Sequence, residues 1–191
     1  VNQSSVFMSL NGSVTKKTTD SDGLAAFSFD PDNSMVPGVY NISFNASKEG
    51  FADIFFNRTI NVRGELSNSQ DNNRNIYTRG FSYFLNSSVW DENGKSVDGN
   101  SSWFVNGSEV AVGDDALWSS DGSISRGVKN LSAVTDKRFY DDTSDYRSIK
   151  LYGLADISSL YPSSSIILPG SYINVTATVG DSNTSQKVEG M

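Results

Sequence analysis

The sequence contains no cysteine and no histidine. Without thiols there is no Cys nucleophile, no Cys-ligated metal and no disulfide framework. Without imidazoles, Ser-His-Asp chemistry, the usual zinc sites and most proton shuttles have no place in the chain. Proline is scarce, at 4 of 191 residues, and no apolar run approaches the length of a membrane span. Basic residues are outnumbered, 15 against 22 acidic, for a net charge of −7. An acidic surface repels phosphate backbones, so nucleic acid is not an expected partner. No charged-then-apolar leader opens the chain, so a signal peptide is expected to have been removed or to lie outside this sequence. No window shows a helical period, and no P-loop or Gly-rich nucleotide turn appears. The expectation is a chain that is not an enzyme and requires no cofactor.

Asparagine followed two places later by Ser or Thr is abundant. The motif occurs eleven times, at Asn2, Asn11, Asn41, Asn45, Asn57, Asn86, Asn100, Asn106, Asn130, Asn174 and Asn183. With 18 Asn and 43 Ser plus Thr, chance placement gives about four. Register decides what the excess means. In Tyr40-Asn41-Ile42-Ser43-Phe44-Asn45-Ala46, apolar and polar residues alternate, which marks a strand with one buried face. Tyr40, Ile42, Phe44 and Ala46 point inward, leaving Asn41 and Asn45 in water. Ile173-Asn174-Val175-Thr176-Ala177 repeats the pattern, and Val6, Met8 and Leu10 put Asn11 outside. Sequons on a solvent face can carry a bulky, solubilising glycan. N-linked glycans are therefore expected partners, with Asn41, Asn45, Asn86 and Asn174 the best placed.

The chain also resembles itself. Residues 38–64 and 127–153 align without a gap at a shift of 89, with Gly38/Gly127, Asn41/Asn130, Ile60/Ile149 and Gly64/Gly153 among the identities. Aligning Gly80 with Gly170 matches Val89 to Val179 and Asp91 to Asp181, and a one-residue insertion then brings 97–99 onto 188–190. Asn11-Gly12-Ser13 echoes Asn106-Gly107-Ser108. A unit of about 90 residues is the size of a β-sandwich domain. The expected division is a partial module over 1–63, a complete module over 64–152, and the opening strands of a further module over 153–191. Turn chemistry divides short strands throughout, and Asn93-Gly94 predicts a type I′ hairpin. The fold class is all-β: tandem Ig-like antiparallel sandwich modules.

Thr18-Thr19-Asp20-Ser21-Asp22-Gly23, Phe27, Phe29, Pro37-Gly38-x-Tyr40 and Lys48-Glu49-Gly50-Phe51 resemble carboxypeptidase-regulatory-like and bacterial Ig-like surface modules. Arg79-Gly80 through Val97-Asp98-Gly99, with Trp103 and Asn106-Gly107-Ser108, is similar to tandem Ig-like repeats of archaeal cell-surface proteins. The resemblance implies an extracellular, glycosylated protein of S-layer, sheath or stalk type. The first module departs from it by lacking the opening strands of such families.

Four carboxylates, Asp20, Asp22, Asp30 and Asp32, flank two turns, and alternate oxygen ligands suit calcium; the competing reading is turn formation. Further acids gather at Asp114 and Asp115 and at Asp141, Asp142 and Asp145. The functional expectation is a structural repeat at the cell surface whose copies join head to tail, with residues 153–191 of one copy completing the sandwich begun by 1–63 of the next. The alternative is an adhesin or carbohydrate-binding module, which needs Trp90, Trp103 or Trp118 exposed as a platform.

Overall fold

Alternation becomes strand along most of the chain. The computed structural model describes residues 3–32, 34–71, 73–182, 184 and 186–188. Its strands are β1 (Ser5–Leu10), β2 (Ser13–Thr18), β3 (Gly38–Ser47), β4 (Ile54–Val62), β5 (Gly64–Gln70), β6 (Ile76–Thr78), β7 (Ser82–Asp91), β8 (Asn100–Val105), β9 (Ser108–Val112), β10 (Asp115–Ser119), β11 (Gly127–Asp136), β12 (Tyr140–Asp141), β13 (Thr143–Tyr152), β14 (Ala155–Pro162) and β15 (Val175–Asp181). Among the described residues there is no helix, so the protein is all-β. The sheets run β2-β1-β3-β4, β10-β7-β5-β12, β6-β13-β11-β8-β9 and β14-β15.

The chain divides into two compact units. Unit 1 comprises Val1–Ser67, Trp90–Val97 and Asp136–Asp142; unit 2 comprises Asn68–Val89, Asp98–Thr135 and Thr143–Met191. In unit 1 the expected alternation of Tyr40–Ala46 holds. Leu10 pairs with Ile42 and Met8 with Phe44 across the ladder, so all four share a face. Met8, Leu10 and Ile42 form a small core with Phe27, Tyr40, Phe44 and Ile60 against it. Phe27 meets Phe44 edge-on, ring centroids 5.9 Å apart. The same inner face also carries Ile54 and Phe56 of β4, opposite Ala46 and Phe44, and both are exposed.

Unit 2 holds the larger core. Leu85 of β7 and Ala116 and Trp118 of β10 pack against Trp103 and Val105 of β8, Leu131 and Ala133 of β11, and Ile149 and Leu151 of β13. Two sheets thus meet face to face, as in a sandwich. Each large side chain buried this way contributes about 1.5–3 kcal/mol. One end of the interior is polar, and its donors are bonded while Asn68 Oδ1 and Gln70 Oε1 are left without a partner. The Asn68 side-chain amide donates to the carbonyl of Ala133 and to the Thr135 hydroxyl, both at 3.1 Å. That hydroxyl in turn lies 2.8 Å from Ser101 Oγ.

The hairpins β3-β4 and β11-β13 share one register. Gly38 pairs with Val62 and Gly127 with Leu151, each 89 residues on. Glycines follow both hairpins in tight surroundings: a β-carbon at Gly64 would stand 2.7 Å from Pro37, and one at Gly153 would stand 2.7 Å from Arg126. The ends of β7 and β15 also match, closed by the bridges Trp90–Ser96 and Gly180–Lys187.

Two turns take type I′ geometry, at Asn11-Gly12 (φ 48° and 81°) and Asn106-Gly107 (φ 49° and 82°). The Asn93-Gly94 turn differs from expectation. Only Gly94 has positive φ there, at 72°. The reason is Asp91, whose Oδ1 accepts the amides of Asn93 and Lys95 at 3.0 and 2.9 Å. That clasp holds a wider loop in which Gly94 alone takes the left-handed position.

Candidate functional site: sequon faces and open apolar faces

The sequons fall into three settings. Asn41 and Asn57 are exposed on the outer face of the β3-β4 ladder, where Asn41 faces Thr59 and Asn57 faces Ser43. Asn130 is exposed at the corresponding place on β11, Asn100 is exposed at the start of β8, and Asn174 is exposed just before β15. Asn11 and Asn106 sit in the two type I′ turns. The remaining side chains are packed or bonded against neighbours. Asn45 is half-buried between Phe7 and Phe55 on neighbouring strands, and its Oδ1 has no hydrogen-bond partner. Asn86 donates from Nδ2 to Asp115 Oδ1 at 2.6 Å. Asn106 Oδ1 accepts the amide of Asn130 at 2.8 Å. Asn2 and Asn183 lie outside the described residues.

The acidic clusters are spent on local bonds. Asp20 Oδ1 accepts the amides of Asp22 and Leu24 at 3.0 and 2.9 Å. Asp32 Oδ1 accepts the Ser34 amide at 2.9 Å and also its hydroxyl. Those two Ser34 bonds, the hydroxyl first, hold the Asp32 carboxyl below its ordinary value. Asp114 accepts the Ser101 hydroxyl, and Asp141 pairs with Arg63 at 2.8 Å on the surface. Asp145 accepts the Gln70 amide at 2.9 Å. Among the described residues no three acids converge on one point where a cation would sit. Asp22 and Asp30 are exposed beside their turns.

Two of the three tryptophans are core residues. Trp103 is fully buried with its indole N–H on the Gly113 carbonyl at 2.9 Å, and Trp118 is buried beside Tyr77. Trp90 is half-buried at the end of β7. No pair of them forms an exposed platform. Among the described residues no helix is long and apolar enough to cross a membrane.

Two features had no signal in the sequence. One is a buried ion pair in unit 2: Arg79 Nη1 lies 3.3 Å from Asp181 Oδ2, with Arg79 Nη2 on the Gly122 carbonyl at 2.8 Å. The other is the openness of β14-β15. Ile157 faces Val179, Leu160 faces Ala177 and Pro162 faces Val175, so one side of this hairpin is apolar. Yet Ile157 and Leu160 are both 60% exposed and Val175 is 55% exposed. β7, aligned with β15 by the repeat, buries the matching Leu85 and Val89 at 0% and 3% exposure.

No family model matches the chain. No curated protein matches it either. Among solved structures it is similar to the fibronectin(III)-like modules of CbhA from Clostridium thermocellum, at 13% identity and a TM-score of 0.41 over 79% of each chain. It is similar to a tetra-tandem repeat from the extending region of a large adhesion protein, at 14% identity and a TM-score of 0.40. That match takes in 99% of this chain, which spans 58% of the adhesion repeat's length. Domains 4 and 5 of the S-layer protein SbsC match at 11% identity and a TM-score of 0.33, over 80% of this chain and 100% of theirs. Overlaps this loose transfer no role.

Proposed function

We propose that the chain is an extracellular structural repeat of a glycosylated surface filament, sheath or stalk, whose copies join head to tail by strand complementation. The contrast between β7 and β15 carries this reading. β7 lies between β5 and β10 and buries Leu85 and Val89 against the facing sheet. β15 has β14 on one side, an edge paired among the described residues only at its end by the Gly180–Lys187 bridge, and its apolar face in water. Unit 1 offers the complement. The inner face of β1-β3-β4 matches the one that β8, β11 and β13 bury, but Ile54 and Phe56 are exposed on it. Residues 24–30 hold Phe27 over that face without forming a strand, as β10 does beside β7. A β14-β15 hairpin from a second copy would cover the face and give residues 24–30 a ladder partner. Such a contact is heterologous and builds an open chain.

The outward sequons support a glycosylated, extracellular setting. Glycan transfer forms a bond between a sugar's anomeric carbon and Asn Nδ2. It breaks that carbon's bond to the phosphate oxygen of a glycosyl diphosphate donor and releases one amide proton. The adhesin or carbohydrate-binding alternative lacks its expected tryptophan platform, because Trp103 and Trp118 are buried.

Sedimentation of the purified chain decides the assembly. The expected result is a series of oligomers of the 20.7 kDa chain that grows with concentration. Val175→Asp should return it to monomer with its strand content retained. A wild-type chain that stays monomeric at every concentration would sink the complementation model.

A further inference from the structure

Aromatic residues make up 12% of the chain, so about one of the eleven sequons would carry an aromatic two places before it by chance. Four do: Phe55 before Asn57, Phe84 before Asn86, Phe104 before Asn106 and Tyr172 before Asn174. Asn106 sits in a turn at φ 49°, which takes it off the strand face of Phe104. The other three aromatics are among the most exposed large side chains of the protein: Phe55 71%, Phe84 69% and Tyr172 100%. On a strand, residues two apart share a face and stand about 7 Å apart. On β4, Phe55 and Asn57 face outward, since Ile60 and Val62 turn inward. On β7, Phe84 and Asn86 face outward, since Leu85 and Val89 are buried. Phe84 and Asn86 line the same surface groove, with Arg74 and Asp115 beside them.

A pyranose ring has one face rich in C–H groups. That face is apolar and weakly positive, and it suits the negative π face of an aromatic ring. A sugar on Asn Nδ2 has the width to reach a neighbour about 7 Å away. The linkage also leaves one amide hydrogen on Asn86 Nδ2 to donate to Asp115. We propose that Phe55 and Phe84 are stacking platforms for the first sugar of N-linked glycans on Asn57 and Asn86; Tyr172 and Asn174 precede β15 and share no strand face. The glycan then covers the aromatic surface that the bare chain leaves in water. This rests on the glycosylated reading above and adds which sites hold an ordered sugar and what holds it.

Asn41 is the internal control, because exposed Val39 stands two places before it and Thr59, Asn57 and Asn61 are its cross-strand neighbours, none of them aromatic. The full chain would be made in a glycosylating secretory host with isotope-labelled sugars. Glycopeptide mass spectrometry reads occupancy, and NMR reads the first sugar's ring protons. Stacking predicts an upfield ring-current shift at Asn57 and Asn86 that is absent at Asn41. Phe84→Leu should abolish the shift at Asn86 alone, unchanged fluorescence of Trp103 and Trp118 showing that unit 2 is folded. Occupied sites with indistinguishable shifts overturn stacking and leave glycosylation standing. Bare asparagines at every sequon overturn both.

Discussion

Gly153 lies so close to Asp181 that a β-carbon on it would stand 2.8 Å from the carboxylate oxygen. The same β-carbon would stand 2.7 Å from Arg126 Cδ. Arg126 is half-exposed and can swing away, but Asp181 is 2% exposed and fixed by Arg79. Gly153→Ala is therefore expected to destabilise unit 2 by about 1–3 kcal/mol, the range for overpacking a filled site. Urea denaturation monitored by tryptophan fluorescence reads it through Trp103 and Trp118. An unchanged midpoint would contradict the crowding.

The ion pair itself sets a second expectation. Both side chains are withdrawn from water, Arg79 at 4% and Asp181 at 2% exposure. Removing one partner strands a buried charge, so Arg79→Ala should cost about 3–5 kcal/mol. Replacing both by apolar residues of similar volume, Arg79→Met with Asp181→Leu, should recover most of that loss, because no charge is then left unpaired. Comparing the unfolding free energies of the three variants checks both statements. A double variant no better than the single would show that the pair's further hydrogen bonds, such as the one to Gly122, carry the stability instead.

Two surface turns should loosen in acid. Hydrogen bonds from the Ser123 hydroxyl and amide hold Asp121 below its ordinary value of 3.8. Ser34 does the same for Asp32. A carboxyl whose folded pKa is depressed contributes stability above its unfolded pKa, and that contribution disappears as pH falls through the lower folded value. Both turns should therefore stay intact at neutral pH and open only below about pH 4. Amide chemical shifts of Ser34 and Ser123 followed through an acid titration report it directly. Midpoints below 3.8 are expected, with Ser123→Ala moving that of Asp121 upward.

Much of the sandwich could be read from residue order, because alternation is a local signal. Tyr40, Ile42 and Phe44 declare their face within five residues, and their register with Leu10 and Met8 follows from it. Asn11-Gly12 and Asn106-Gly107 declare their turns by the left-handed backbone they need. Asn93-Gly94 misleads because Asp91, two residues upstream, offers a competing hydrogen bond. Phe27 and Phe29 alternate as well, yet residues 24–30 form no strand. Alternation supplies a face, whereas a strand also needs a neighbour to bond with. The Arg79–Asp181 pair left no local trace, since nothing near either residue distinguishes it from an ordinary surface charge. The aromatic at the second position before Asn57 and Asn86 was present in the sequence, but its meaning depended on knowing that those rings are exposed.

Arg79 and Asp181 are 102 residues apart, and this separation has a consequence in time. A ribosome adding about 5–20 residues per second delivers the carboxylate roughly 5–20 s after the guanidinium. Strands β6 to β13 can pair during that interval, with the Asp121 carboxylate and the Gly122 carbonyl already near Arg79. Every residue of the large core is made before Asp181, so Arg79 gains its buried partner only after the rest of that interior has been synthesised.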